Sequence, residues 1–124
     1  MIYNKNVKRG EIYWVNLGER EGSIQSGIRP ALIIFNDINN KFSPTVNILP
    51  ITSKRKPLPV HVKVGRKEGL SKTSYVLTEQ ETTINKNQVK DMVGICNKRL
   101  LLKVEEAIML QKGINLEEHI EEYV

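Results

Sequence analysis

One cysteine, two histidines and one tryptophan are spread over 124 residues, and no apolar run approaches membrane-spanning length. The lone thiol, Cys96, excludes an internal disulfide framework and fits a reducing, cytoplasmic setting. Within Met92-Val93-Gly94-Ile95-Cys96 it reads as buried packing rather than as a nucleophile. The N-terminal Met1-Ile2-Tyr3-Asn4-Lys5 carries no signal-peptide core, so no membrane partner is expected. Metal-ligand spacing is missing as well. Asp37 and Asp91 stand isolated, and neither a metal nor another cofactor is expected.

What is present is ordinary in proportion, with 40% hydrophobic and 27% charged residues. This length fills one domain, 1–124, whose single core is small enough that dimerisation would help it. Net charge is +5 but unevenly placed. Residues 113–124 hold four of the 14 acidic residues and none of the 19 basic ones, which leaves the body at +9. A basic body suits a polyanionic partner.

Alternation predicts a first strand over Glu11 to Asn16, with Ile12 and Trp14 on one face and Tyr13 and Val15 on the other. Leu17 to Ile28 is a polar loop punctuated by glycine, too long for a tight hairpin and of the kind that carries function. Ala31 to Phe35 is an unbroken apolar strand, and Asn36 to Thr45 a connection with room for a turn of helix. Val46 to Ile51 and Val60 to Val64 follow as strands. Tyr75 to Thr78 and Val89 to Ile95 add more, joined by Glu81 to Gln88. The clearest helix runs from Lys98 to Lys112, capped by Asn97 and stopped by Gly113, with Leu101, Val104 and Ile108 at helical spacing and Leu100, Ala107 and Leu110 widening the stripe. Leu116, Ile120 and Tyr123 recur at helical spacing in the tail. The expected class is β-rich α+β: a small antiparallel sheet or open barrel with a terminal helix over about 7–113, then an acidic tail, 114–124.

Two strand ends hold the chemistry. In Gly27-Ile28-Arg29-Pro30 an arginine lies between a glycine loop and a proline that starts a buried strand, which fixes its guanidinium at a rigid edge. The strand Val46 to Ile51 ends in Thr52-Ser53 and then Lys54-Arg55-Lys56-Pro57. If those strands are neighbours, Arg29 and Thr52 meet in a basic groove suited to a phosphodiester. Taken singly, each has a plainer explanation: a surface arginine beside a turn, a strand-end threonine, a solvated basic turn.

Lys8-Arg9-Gly10-Glu11-Ile12-Tyr13-Trp14, Gly27-Ile28-Arg29-Pro30-Ala31-Leu32-Ile33-Ile34, Asn36-Asp37, Phe42-Ser43-Pro44-Thr45-Val46, Pro50-Ile51-Thr52-Ser53 and Glu79-Gln80, taken together, strongly resemble the MazF/PemK family of toxin endoribonucleases. The resemblance covers roughly 7–113. It implies an SH3-like, CcdB/PemK-type antiparallel barrel that acts as a homodimer in the cytoplasm, cleaves single-stranded RNA, chiefly mRNA, with sequence selectivity, and is held by a cognate antitoxin whose acidic, partly disordered tail wraps the basic groove. Arg29 and Thr52 match its catalytic positions, and Ser23, Gln25 and Gln80 match positions that line the RNA groove. Lys54, Arg55 and Lys56 would track phosphates.

The implied chemistry uses the RNA's own 2′-hydroxyl as nucleophile, giving 2′,3′-cyclic phosphate and 5′-hydroxyl ends without a metal. A histidine-pair mechanism is disfavoured, because His61 alternates with inward valines and should face outward, and His119 lies in the acidic tail. Tyr13 and Trp14 are candidates to stack bases, but the single tryptophan of a small sheet reads first as core. The family's usual Glu-Gln-x-Arg-Thr-x-Asp run is here Glu79-Gln80-Glu81-Thr82-Thr83-Ile84-Asn85, so the resemblance leaves target sequence and dimer contacts open. Two other readings share the fold: a CcdB-like gyrase poison and a non-catalytic nucleic-acid-binding barrel.

Overall fold

A computed structural model describes residues 6–54 and 57–121. Seven strands form one antiparallel sheet: β1 (Glu11–Asn16), β2 (Ile28–Ile33), β3 (Thr45–Thr52), β4 (His61–Val64), β5 (Ser74–Leu77), β6 (Thr82–Asn85) and β7 (Val89–Ile95). Their order is β4-β5-β3-β2-β1-β7, with β6 paired to β3. The sheet is open, since among the described residues its outer strands β4 and β7 do not pair with each other.

Alternation along each strand feeds two cores. Ile12, Leu32, Leu49, Ile51, Val76 and Val104 pack on one side; Tyr13, Val15, Ala31, Ile33, Ile48 and Ile84 pack on the other. A sheet covered on both faces needs apolar residues at consecutive positions, which is why Ala31 to Phe35 reads as an unbroken run. β6 fell within a stretch expected to be a connection. Only Ile84 of its four residues is buried, and its strand identity comes from pairing Thr45↔Asn85 through Ile48↔Thr82, which local sequence does not show.

The connection after β2 holds the short helix α1 (Asp37–Phe42), whose N-cap Asn36 accepts from the Asn39 amide. Lys86 is buried beneath it and donates to the Asn40 carbonyl; burial lowers its pKa. Helix α2 (Lys98–Lys112) has the expected bounds. Asn97 accepts from the Leu100 amide, and Gly113 ends the helix at φ 70°, a left-handed conformation open to glycine. Val104 and Ala107 are buried while Leu100, Leu101 and Ile108 pack against the first core. Leu110, expected in that stripe, is instead exposed. Arg9 ties α2 to the sheet, donating to Glu105 Oε2 at 2.6 Å and to the Ile34 carbonyl at 3.1 Å. Its amide meets Asp37 Oδ1 at 2.7 Å, and that bond holds the carboxyl below its usual range.

The tail forms the short helix α3 (Leu116–Glu121). Its Leu116 and Ile120 stay exposed, so the tail does not dock through them; Tyr123 lies outside the described residues. No helix among the described residues is long and apolar enough to cross a membrane. Cys96 sits where β7 hands over to α2, buried as expected, its amide donating to the Gly10 carbonyl. Burial, with Glu68 adding a smaller push, raises its thiol to about 12.

One close approach sets the edge of the site. Gly69, at φ 95°, lies against β7 so tightly that a Cβ there would collide with the Val93 carbonyl, and a Cβ on Gly94 would collide with the Glu68 carbonyl. Neither clash falls on a side chain that can swing away. Gly94→Ala should therefore cost about 1–3 kcal/mol of unfolding free energy in urea. A loss within about 0.5 kcal/mol, as at an ordinary surface position, would show the approach to be slack.

Candidate active site

β2 and β3 are neighbours, paired Ala31↔Pro50, Leu32↔Leu49 and Ile33↔Ile48. Continuing that register two residues brings Arg29 opposite Thr52. Both line one open cleft of about 420 Å³, whose lining also includes Trp14, Ile51 and the segment Gly69 to Lys72. That segment follows the 3₁₀ turn Arg66–Glu68, which is closed by Glu68 Oε1 accepting the Gly65 amide at 2.7 Å. Its place beside β7 is fixed by the Gly69–Gly94 contact. Among the described residues the lining carries two cations, Arg29 and Lys72, and no carboxylate or imidazole.

Arg29 is half-buried, and its Nε donates to the Ser26 carbonyl at 3.0 Å. This bond aims the guanidinium while both terminal nitrogens keep their donors for a ligand. Thr52 is buried, with Oγ1 accepting from the Lys54 amide at 3.2 Å. The hydroxyl proton is thereby left to donate. A planar fork and a hydroxyl donor converging on one concave, cationic surface can hold a tetrahedral oxyanion such as a phosphate.

The loop residues gather beside the cleft and do not line it. Gln80 Oε1 accepts from the Gln25 amide at 2.9 Å, and its Nε2 donates to the Ser23 carbonyl at 3.0 Å. Gln80 thus braces the long loop between β1 and β2 with both ends of its amide. Gln25 is itself buried, and its Oε1 has no partner among the described residues. Lys54 is exposed at the end of β3, while Arg55 and Lys56 lie outside the described residues.

Trp14 and His61 depart from expectation. Trp14 is 43% exposed and belongs to the cleft, whereas Tyr13 is buried and donates its hydroxyl to Glu11 at 3.0 Å. Burial, then that carboxylate, raises the Tyr13 phenol to about 12. Tyr13 therefore offers no ring to a base. The expectation for Trp14 failed because the side of β1 that buries Ile12 opens into the cleft two residues later. The side chain of His61 is only 1% exposed, not out in solvent. Its Nδ1 accepts from the Leu58 amide at 2.9 Å, so Nε2 carries the proton it donates to Glu79 at 3.0 Å. His119 is exposed on α3. Lys72 escaped sequence reasoning, since nothing local marks a lysine there. Only the pairing Thr52↔Tyr75 brings its segment beside β3.

Residues 8–111 match the family described as PemK-like, MazF-like toxin of type II toxin–antitoxin system. The chain is 39% identical over 111 residues to the endoribonuclease EndoA of Bacillus subtilis (strain 168), covering 87% of this chain and 96% of that protein. MazF of Deinococcus radiodurans shares the fold at TM-score 0.77 and 21% identity, covering 90% of this chain and 100% of that one. A mycobacterial endoribonuclease solved in complex with its cognate antitoxin does so at TM-score 0.72 and 24% identity, covering 89% and 96%.

Gln80→Ala removes both braces of the loop at once. With each bond worth about 1 kcal/mol net, stability should fall by roughly 1–2 kcal/mol. The Gln25 amide should also exchange its proton faster by NMR. Unchanged exchange at Gln25 would mean that the loop holds itself.

Proposed function

We infer that this chain, which belongs to the family of PemK-like, MazF-like toxins of type II toxin–antitoxin systems, is an endoribonuclease acting on single-stranded RNA. The observation that supports the site assignment is the shared cleft: Arg29 and Thr52 both belong to its lining, which carries cations and no carboxylate among the described residues. The 2′-hydroxyl of the substrate attacks the adjacent phosphorus, giving its proton to solvent water, and the P–O5′ bond breaks as the departing 5′-oxygen takes a proton from water, leaving a 2′,3′-cyclic phosphate and a 5′-hydroxyl. Arg29 forks its terminal N–H groups onto the non-bridging oxygens as charge builds on the phosphorane. Thr52 donates to the phosphate or orients the 2′-hydroxyl. Among the described residues the lining offers no carboxylate or imidazole as a general base. Rate gain in this cleft therefore rests on charge stabilisation and orientation.

Lys54 and Lys72 would hold flanking phosphates, with Arg55 and Lys56 extending the same basic stretch. The natural restraint is an antitoxin with an acidic segment, drawn to a body of charge +9. We place the active form as a homodimer in the cytoplasm, where its mRNA substrate is.

Arg29→Ala should lower single-turnover cleavage of a long RNA by about 10²–10³-fold with the fold intact, because one transition-state donor is lost. Arg29→Lys should be nearly as poor, since an ammonium cannot reproduce the fork. Thr52→Ala should show a smaller defect. Wild-type activity in Arg29→Ala, with the melting curve unchanged, would move the site elsewhere.

Two further outcomes follow from an internal nucleophile in a cleft whose described lining carries no carboxylate or imidazole to hold a metal. Cleavage should persist in excess EDTA and should stop at a scissile nucleotide carrying 2′-deoxyribose. Cutting of the deoxy substrate would rule out the cyclic-phosphate route.

A further inference from the structure

We propose that the indole of Trp14 is a stacking platform for a nucleobase flanking the phosphate held by Arg29. The identity of the polymer rests on the ribonuclease reading; the platform itself rests on geometry. Trp14 pairs with Pro30, and the next rung pairs Val15 with Arg29. The two residues thus stand on adjacent rungs of neighbouring strands, whose backbones run about 5 Å apart. Alternation starts their side chains toward opposite faces, and what joins them is the open cleft, whose lining includes Trp14 and Arg29 together with Thr52, Ser71 and Lys72.

A tryptophan left 43% exposed forgoes much of the burial that aromatic side chains supply. Here that surface looks into a concavity whose charged lining is cationic among the described residues. Such a lining attracts phosphates, and an aromatic face among cations is how single-stranded nucleic acid is gripped without base-edge readout. Pro30, the cross-strand partner of Trp14, adds a rigid apolar neighbour, since its φ is fixed. Because every base presents a π-face, the platform contributes affinity and register more than sequence choice.

Trp14 is the one tryptophan in the chain, so intrinsic fluorescence reports on it directly. Wild type, Trp14→Phe and Trp14→Ala are titrated into a fluorescein-labelled random pool of 2′-O-methyl RNA, which cannot be cleaved; anisotropy of the label gives the affinity of all three, indole emission is followed in wild type, and light scattering follows the mass of the protein. Binding should quench the wild-type indole. Trp14→Ala should bind about 5- to 150-fold more weakly, and Trp14→Phe should keep most of the affinity. No change in indole emission at saturation would overturn the platform, whatever the variants do. So would a fall in mass for Trp14→Ala with RNA affinity unchanged, which would make Trp14 a contact between copies. Failure of the ribonuclease reading looks different: wild type would cleave no RNA, yet its indole would still be quenched.

Discussion

Everything at the site hangs on the register between β2 and β3. Leu32 and Leu49 pair in one core while Ile33 and Ile48 pair in the other. A slip of one residue would send each set to the wrong face, so two dry cores hold the register from both sides at once. Pro50 fits because β3 changes partners around it. Its pairs with β6 end at Ile48, and its pairs with β5 begin at Ile51. A missing N–H there interrupts no ladder on that edge. Arg29 and Thr52 lie two residues beyond the last of these pairs, so their place in one cleft follows from the packing of the cores.

The two banks of the cleft are built by unlike means. On the β2–β3 side the groups are placed by strand pairing and by short local bonds, Arg29 to Ser26 and Thr52 to Lys54. On the opposite side, backbone lies against backbone, glycine to glycine, with no side chain between them. The first arrangement fixes direction and the second fixes distance. A site meant to hold a tetrahedral anion needs both, because a donor well aimed but displaced by an ångström loses most of its effect.

How much of this was legible follows from which forces are local. α2 could be read residue by residue, since caps and helical period are written within a few positions of each other. Arg29 and Thr52 stand out because proline, glycine and strand ends mark them. The place of Trp14 was not readable. Alternation correctly put it on the side of Ile12, but whether that side meets core or open cleft depends on how far the Gly69–Lys72 segment reaches across. His61 likewise obeys alternation, yet its ring is covered by Glu79 and by the chain at Leu58, contacts that a strand pattern does not encode. Leu110 fits the helical period and is exposed all the same. β6 is polar, short and visible only through its partner.

The burial of Cys96 reaches beyond packing. A thiol held near 12 is almost never a thiolate at neutral pH, and the thiolate is the form that peroxide and electrophiles attack. The one sulfhydryl in the chain is thus chemically silent. During oxidative stress, when accessible cysteines across a cell are converted to sulfenic acids, this protein would neither register the event nor be damaged at that position.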